Sequence, residues 1–311
     1  MKFSIVLPTY NRAHVLPQTL ERLSDLDYPS NQYEIVIVDN NSTDDTAKIV
    51  KKLQKKITNI RYVFEKKQGR TFASIKGINV AKHKKIVFID DDIHVKKNFL
   101  QLYQKAYQAN PTAAIIGGPI LAKWPKGSEP RSFLSKVLAH HEPWIFGEID
   151  YGKKRRKLRY PNALFAGNMS INLATFHQED TIFSNLLGRK AGGKYLYAED
   201  YELCLRMELL RREVIYEPTL LVENAVEVER TTNGYLLKRL LNSGVERYLI
   251  DQLLQDFPAH ISLQPRLTSF VLNLLKTRTS AAFWELIIRI PVAIGYVFQG
   301  KITAQELKNS V

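Results

Sequence analysis

Three short apolar runs near the N-terminus constrain the fold more than any other feature of this sequence. They cover residues 3–7, 34–38 and 85–89, and each is rich in β-branched side chains. Runs of this length and composition are typical of strands that are buried on both faces of a parallel sheet. Segments with helical periodicity separate them, at about 14–26, about 46–54 and about 72–82. The alternation predicts an α/β domain with a doubly wound, mostly parallel sheet and flanking helices.

The remainder of the chain carries weaker structural signals. Further strands are predicted at 113–116 and 165–171, with an irregular stretch and a basic loop at 153–157 between them. Helical patterning resumes at 199–212, where Leu203, Met207 and Leu210 form an apolar stripe. Residues 236–311 are mostly helical in pattern and apolar on one face.

Polar, turn-forming residues follow each of the three N-terminal strands. In open α/β sheets, ligands bind beyond the carboxyl ends of the strands. We therefore expect the three segments to lie on one rim and to bind a ligand together. They are Pro8-Thr9-Tyr10-Asn11-Arg12, Asp39-Asn40-Asn41 and Asp90-Asp91-Asp92.

The three consecutive aspartates predict a metal site. Like charges this close repel one another, and a divalent cation removes that cost. Asp90 and Asp92 are one residue apart on an extended chain, so their side chains can converge. Hard oxygen ligands suit Mg²⁺ or Mn²⁺, either of which would bridge to a diphosphate. A helix N-cap with acidic neighbours is the structural alternative.

Two other acidic positions have both a functional and a structural interpretation. Asp39 can accept hydrogen bonds from a base or ribose, or it can serve turn chemistry in the segment up to Ser42. Asp200 follows Glu199 at the start of a predicted helix, where it is either a general base or an N-terminal acid of a solvated helix. The residues themselves leave both questions open.

Charge and cysteine content narrow the partners. The formal net charge is +14, and its clusters include residues 153–157 and the lysines Lys51, Lys52, Lys55 and Lys56. No nucleic-acid-binding motif accompanies these clusters, so nucleic acid is not expected as a partner.

The single Cys204 excludes an internal disulfide or a cysteine zinc site, and its apolar surroundings predict a buried structural thiol.

Seven short motifs occur in order along the first part of the chain. They are Val6-Leu7-Pro8-Thr9-Tyr10-Asn11-Arg12, Ile37-Val38-Asp39-Asn40-Asn41-Ser42-Thr43-Asp44, Phe88-Ile89-Asp90-Asp91-Asp92, Gly167-Asn168-Met169, Leu187-Gly188-Arg189, Glu199-Asp200 and Tyr216-Glu217-Pro218. This ordered set resembles family 2 glycosyltransferases of GT-A fold. The resemblance spans about residues 1–235, and the motifs stand in the family's order.

The resemblance implies a metal-dependent, inverting transfer of a sugar from a nucleotide diphosphate-sugar to an acceptor hydroxyl. The nucleotide would be UDP, which the family mostly uses. Asp200 would be the general base. Mn²⁺ or Mg²⁺ would bind Asp92 and Asp90, with Asn224 as a further ligand. The acceptor would contact Gly167, Asn168 and Glu199. Residues implied in donor binding are Pro8, Thr9, Tyr10, Asn11, Arg12, Asp39, Asn41, Gly69, Arg70, Asp90 and Asp91.

The sequence departs from the family pattern at two places. An Arg-Asn pair that often follows the Gln68-Gly69 segment is replaced by Ser74 and Ile75, so we expect Arg70 or Lys76 to supply positive charge near the phosphates. Asn224 stands where many members carry a histidine, which is a stronger metal ligand than an amide oxygen.

The implied organisation is a GT-A domain at 1–235, with a donor half at 1–115 and an acceptor half at 116–235, and a helical extension at 236–311. A nucleotidyltransferase and a non-catalytic nucleotide-sugar-binding module are the rival functions.

Residues 281–298 are apolar and aromatic but contain two charges and a proline. They are expected either to rest on an anionic membrane surface or to pack on the domain. The acceptor would be a saccharide or lipid-linked, and the location cytoplasmic, peripheral at the inner face of the cell membrane.

Overall fold

A computed structural model describes residues 1–124, 126–127, 129–177, 180–184, 187–188, 196–255, 257 and 288–299. The chain divides into two compact units. The first comprises Met1–Lys123, Gly147–Asn185 and Glu199–Val226, and the second comprises Trp124–Phe146, Leu186–Ala198 and Glu227–Val311. Each unit therefore draws on three separate stretches of sequence.

An eight-stranded sheet is the centre of the first unit. Its strands are β1 (Phe3–Thr9), β2 (Tyr33–Asp39), β3 (Ile60–Phe64), β4 (Lys85–Ile89), β6 (Ile115–Gly117), β8 (Arg156–Lys157), β9 (Asn168–Asn172) and β10 (Val214–Tyr216). Their order in the sheet is β3-β2-β1-β4-β9-β6-β10-β8. Only β9 and β8 run antiparallel to their neighbours, so the sheet is mostly parallel, as predicted.

Apolar helix faces cover both sides of this sheet. Along β1, Ile5 and Leu7 point to one hydrophobic cluster while Val6 points to the other, because successive side chains of a strand face opposite sides. The first cluster takes buried residues from α1 (Leu16–Ser24), α2 (Thr46–Gln54) and α4 (Phe99–Ala109), and the second from α3 (Arg70–Val80) and α6 (Glu199–Leu209). The expected doubly wound arrangement is confirmed.

Strand register brings the polar loops to one level. Thr9, the last residue of β1, lies opposite Asp39, the last residue of β2. On the other side of β1, Val6 lies opposite Phe88 of β4, two residues before Asp90. The carboxyl ends of β1, β2 and β4 therefore share one rim, as the sequence predicted.

The sequence did not predict a second, three-stranded sheet. It has the order β5-β11-β7 and consists of β5 (Ile93–His94), β7 (Ile120–Lys123) and β11 (Val222–Ala225). These strands are two to four residues long, which is too short for a clear alternation pattern. Helix α4 and strand β3 were also not predicted.

Several local predictions need correction. Helix α1 begins at Leu16 rather than near residue 14, and α6 ends at Leu209, so Leu210 is exposed and does not continue the apolar stripe. Part of the expected basic loop, Arg156–Lys157, forms the edge strand β8.

In the second unit, the described residues contain α5 (Phe133–His141), α7 (Asn233–Leu254) and a helical stretch at 288–299. The backbones of α7 and 288–299 approach closely, because a Cβ at Gly295 would lie 1.9 Å from the carbonyl oxygen of Leu241. The Tyr296 hydroxyl donates to Asp251 at 2.6 Å. Residues 288–299 thus pack on α7, whereas residues 281–287 lie outside the described part of the chain. Within the described residues, no helix has the length and apolarity needed to cross a membrane.

Candidate active site

The aspartate triplet follows β4 and is bonded to the end of β1. The Thr9 hydroxyl donates to Asp91 Oδ2 at 2.8 Å, and the Arg12 Nε lies 3.5 Å from Asp91 Oδ1. The backbone carbonyl of Asp91 accepts a 2.6 Å hydrogen bond from the Thr19 hydroxyl of α1. These contacts fix the triplet against the loop that leaves β1.

Asp91 is buried, and its neighbours crowd it with negative charge. Burial and the charge of Asp92 raise the pKa of Asp91 to about 7, against the opposing effect of Arg12. The carboxylates of Asp91 and Asp92 therefore repel each other, as the sequence predicted. A cation at this rim would relieve this repulsion.

Arg70, the first residue of α3, joins the aspartate triplet to a distant acidic pair. Its guanidinium donates to Asp90 Oδ1 through one nitrogen and to Glu199 Oε1, at 3.0 Å, through another. Burial alone would lower the pKa of Arg70, but the charges of Asp90 and Glu199 outweigh burial and raise it. A Cβ at Gly167 would stand 3.2 Å from Asp90 Oδ2, so this glycine leaves room beside that oxygen.

Asp200 is buried at the N-terminus of α6 and is held by backbone. Its Oδ2 accepts from the Ala166 N–H at 2.9 Å and its Oδ1 from the Tyr201 N–H at 2.8 Å. Burial and the charge of Glu199 raise the pKa of Asp200 to about 7. A carboxylate with a raised pKa near neutrality and a fixed orientation is suited to take a proton.

Asp39 lies in a polar pocket at the end of β2. Its Oδ2 accepts a 2.8 Å hydrogen bond from the Tyr62 hydroxyl on β3, and its Oδ1 accepts from the Ser42 N–H at 2.9 Å. The second contact is the turn chemistry considered as an alternative, and it coexists with a position on the rim. Sequence reasoning missed Tyr62, because β3 itself was not predicted.

The loops that leave β1 and β2 are bonded to each other. Asn11, with φ of 52°, donates its N–H to the Ser42 hydroxyl at 2.9 Å and accepts from the Thr43 N–H at 2.8 Å. Asn41 has φ of 65°, a left-handed conformation that asparagine tolerates. Tyr10, which lies between the end of β1 and Asn11, is 38% exposed. The two predicted donor loops, one with Asn11 and the other with Asn41, are therefore hydrogen-bonded to each other.

Asn40 is a further residue that the predicted set lacked. Its side chain donates to the Lys67 carbonyl at 2.8 Å and accepts from the Gly69 N–H at 2.7 Å. It thereby ties the loop after β2 to the turn that starts α3 and places Arg70. The run of two asparagines after Asp39 was the available signal, but only Asn41 was assigned to the site.

The residues around Asp92 fit a hard divalent cation that receives further ligands from substrate. Strand pairing places Asn224 of β11 opposite Ile93, next to Asp92, and both polar side chains are buried. Among the described residues, no group of three or more His, Cys, Asp or Glu is placed to hold a metal ion. Mg²⁺ sites commonly use one or two carboxylates and complete their ligand set with substrate phosphates and water. Asp90, Asp92 and Asn224 match that pattern.

Asn168 has a structural environment. It is fully buried, its Oδ1 accepts from the Tyr103 hydroxyl at 3.0 Å, and its Nδ2 donates to the carbonyls of Pro119 and Leu220. The prediction that it contacts the acceptor gains no support from these bonds. Cys204 is buried as predicted, and burial raises the pKa of its thiol to about 12.

The geometry defines a class of protein. A doubly wound sheet carries the aspartate triplet, the polar pocket around Asp39 and the buried candidate base Asp200 at one edge. In open α/β sheets, ligands bind at the edge formed by the carboxyl ends of the strands. The sequence model described as glycosyl transferase family 2 matches residues 4–176, more than half of the chain. The chain belongs to this family.

Two curated relatives illustrate the sequence similarity. One is a dolichyl N-acetyl-α-D-glucosaminyl phosphate diacetamidodideoxyglucuronosyltransferase of Methanococcus voltae, 32% identical over 38% of this chain and 38% of the relative. The other is the GalNAc(5)-diNAcBac-PP-undecaprenol β-1,3-glucosyltransferase of Campylobacter jejuni, 31% identical over 44% of this chain and 43% of the relative. The matched part is less than half of each relative's length.

Two solved structures share the fold. TarS residues 1–349 of Staphylococcus aureus, in complex with UDP-GlcNAc, superposes with a TM-score of 0.52 at 17% identity, covering 98% of this chain and 92% of TarS. The mannosyltransferase PcManGT of Pyrobaculum calidifontis, with GDP-Man and Mn²⁺, gives a TM-score of 0.55 at 18% identity, covering 99% and 79%. The predicted GT-A fold is confirmed.

Proposed function

We propose that this protein transfers a sugar from a nucleotide diphosphate-sugar to an acceptor hydroxyl with inversion at the anomeric carbon. The observation that carries the proposal is the double contact of Arg70 with Asp90 and Glu199. It brings the acidic segment at the end of β4 next to the acidic pair that contains Asp200. Groups for the leaving diphosphate and for the attacking hydroxyl thus lie on one rim.

The reaction needs one proton acceptor and no enzyme nucleophile. Asp200 takes the proton of the acceptor hydroxyl as its oxygen bonds to the anomeric carbon, and the bond from that carbon to the diphosphate oxygen breaks. Attack from the face opposite the leaving group inverts the anomeric centre. The two backbone N–H groups on Asp200 orient it for this step.

The donor is proposed to lie over the ends of β1, β2 and β4. Asp39, which is bonded to Tyr62 and Ser42, is proposed to bind the base, and the loop from Pro8 to Arg12 is proposed to line the pocket with Asn41, Gly69 and Arg70. We propose UDP as the nucleotide, in line with the UDP-GlcNAc bound to TarS. GDP is the alternative, since PcManGT binds GDP-Man. Nucleotide release from a panel of UDP- and GDP-sugars tests both donor class and activity. No release from any of them contradicts the proposal.

Mn²⁺ or Mg²⁺ is proposed to bind through Asp92 and Asp90, with Asn224 beside them. Such a cation, when bound, neutralises charge on a leaving diphosphate. EDTA is then expected to abolish turnover, and added Mn²⁺ or Mg²⁺ to restore it. Full turnover in chelator would exclude the metal. Asn224→Ala, compared with Asn224→His, reports whether this position contributes a ligand, since the histidine variant should bind the metal more tightly.

The acceptor is proposed to be a saccharide carried on a phosphate-linked lipid, in glycolipid or polysaccharide biosynthesis. Both curated relatives have acceptors of this kind in their names, a dolichyl phosphate and an undecaprenyl diphosphate. Glu199 and the backbone at Gly167 lie beside Asp90 and Asp200 and are the proposed acceptor contacts.

We also propose that the protein acts at the cytoplasmic face of a membrane. Ile290, Ile294 and Val297 are 42%, 42% and 40% exposed and recur at helical spacing beside the exposed Arg289. Together with a net charge of +14, this face suits an anionic lipid surface. Flotation with vesicles containing phosphatidylglycerol tests it. Wild type should float, Ile290→Ser/Ile294→Ser should float less, and a wild type that ignores the vesicles at low salt would refute the proposal.

A further inference from the structure

The basic run at Gly152–Lys157 lies on the same rim of the sheet as the candidate active site. Strand β8 runs antiparallel to β10, and Arg156 lies opposite Tyr216, the last residue of β10. Because β10 is parallel to β6, and β6 runs in the direction of β4, the chain just before Arg156 stands at the carboxyl edge. The sequence showed only a charged loop without a location.

This run is held in place at its N-terminal end. The Tyr216 hydroxyl donates to Asp150 at 2.9 Å and accepts from the Tyr151 N–H at 3.2 Å, while Asp150 also accepts from the Gly152 N–H at 2.7 Å. Gly152, with φ of 88°, turns the chain into the run. Such contacts distinguish it from a solvated charge run, which is usually mobile.

Two ion pairs further order the run and leave its other cations unpaired among the described residues. Arg155 Nε lies 2.5 Å from the buried Glu217, and Lys157 lies 3.1 Å from Glu213. Glu217 in turn accepts from the Thr219 hydroxyl at 2.8 Å. Lys153, Lys154 and Arg156 are exposed and have no ion-pair partner among the residues that the structure describes. Three positive charges are therefore presented on an anchored segment.

A short chain of contacts connects the run to the side of the candidate base. The Tyr151 hydroxyl donates to the Ala163 carbonyl at 2.8 Å, and three residues later the Ala166 N–H donates to Asp200 at 2.9 Å. Burial and, to a smaller extent, the charge of Asp200 raise the pKa of Tyr151 to about 12, against the hydrogen bond at Ala163. The run thus begins one residue after Tyr151, whose side chain bonds to the segment that contacts Asp200.

We propose that Lys153, Lys154 and Arg156 bind the phosphate group of the acceptor substrate. This inference rests on the proposed function and adds the surface by which the acceptor is recognised. Ammonium and guanidinium groups on an ordered loop pair well with phosphate oxygens. The position, on the base side of the rim and away from the aspartate triplet, separates the acceptor's phosphate from the donor's diphosphate.

The test is binding of farnesyl diphosphate, with UDP added at saturation to fill the donor site. We compare wild type with Lys153→Gln/Lys154→Gln and with Lys55→Gln/Lys56→Gln, which removes the same charge from two exposed lysines beyond α2. The first variant should lose about tenfold in affinity, and the control should stay within about twofold of wild type. Equal losses in both variants, or no binding by wild type, would overturn the inference.

Two further arms identify the source of the phosphate. Inorganic diphosphate should show the same variant-specific loss, because the recognised group is the phosphate. Vesicles of phosphatidylcholine with phosphatidylglycerol should not, and a matching loss there would reassign the run to bulk membrane lipid. Nucleotide release from the donor without acceptor should be the same in all three proteins. If that release is absent while the variant-specific loss persists, the sugar transfer fails and the phosphate site stands.

Discussion

The donor side and the base side of the rim are built in different ways. On the donor side, most groups lie at the carboxyl ends of β1, β2 and β4, which are neighbours in the sheet. On the base side, Asp200 begins a helix and is oriented by Ala166, while Arg70 reaches Glu199 across 129 positions of sequence. One side is a set of strand ends, and the other is assembled from segments that are remote in the chain.

This difference explains which residues a sequence can reveal. A loop that follows a buried strand has a known location once the strand is recognised. A contact such as Arg70–Glu199 depends on how α3 and α6 are placed on the sheet, which no local pattern encodes. We expect substitutions on the two sides to separate donor binding from chemistry, and the following experiments test that separation in order of decreasing effect.

The largest effect is expected for Asp200→Asn. The amide cannot take the acceptor's proton, so turnover should fall by about 10²-fold or more. Donor affinity should remain near wild type, because Asp200 lies on the base side. Both quantities can be measured by steady-state kinetics and by titration with UDP. A variant that loses nucleotide binding as strongly as turnover would erase the distinction between the two sides.

Arg70→Met tests the residue that joins the sides. Removing this cation leaves Asp90 and the buried Glu199 without their partner, which should lower the free energy of unfolding by about 3 kcal/mol and affect donor binding and turnover together. Urea unfolding and kinetics measure this. Lys76→Met on the same helix is the matched control and should change stability little. If the two variants behave alike, Arg70 does not couple the sides.

The pH dependence of turnover at saturating donor should follow the protonation of Asp200 on the base side. Since the pKa of Asp200 is raised to about 7, the carboxylate is protonated and inactive below that pH and competent above it. Turnover should therefore rise about tenfold per unit up to pH 7 and then level off. UDP affinity, followed over the same range, separates this effect from the titration of Asp91 on the donor side, whose pKa is raised to about 7 by burial and by the charge of Asp92. A flat turnover profile between pH 5 and 8 would contradict the assignment of the base.

The smallest effect is expected for Tyr62→Phe on the donor side. It removes the hydroxyl that fixes Asp39, a contact worth roughly 1 kcal/mol or a fivefold change in UDP affinity. Turnover at saturating donor should stay unchanged. Tyr28→Phe, which removes a hydroxyl bonded to Gln104 at 2.6 Å elsewhere in the unit, is the control. Lower saturated turnover in Tyr62→Phe would show that this pocket also serves the base side.

The prediction from sequence was accurate where local pattern and position coincide. Strand β4 was predicted at its observed bounds, and the three polar segments lie on one rim as expected. Strands of two or three residues, such as β5 and β10, carry too little pattern to be recognised. The role of Tyr62 and the location of the basic run were missed for the same reason, since both depend on strands, β3 and β8, that the pattern did not show. Asn40 was missed because its role depends on the turn before α3, which it contacts at the Lys67 carbonyl and the Gly69 N–H.

The sequence by itself determined the α/β class, the family and the identity of the acidic residues, because buried strands and the motifs behind them are local properties. Tertiary structure alone decided that Arg70 pairs with both Asp90 and Glu199, that Asn168 is spent on internal hydrogen bonds, and that the basic run begins on the rim beside Tyr151. The physical reason is that these outcomes depend on strand order and helix placement. Both are set by burial of the two hydrophobic clusters over the whole sheet and by no single segment.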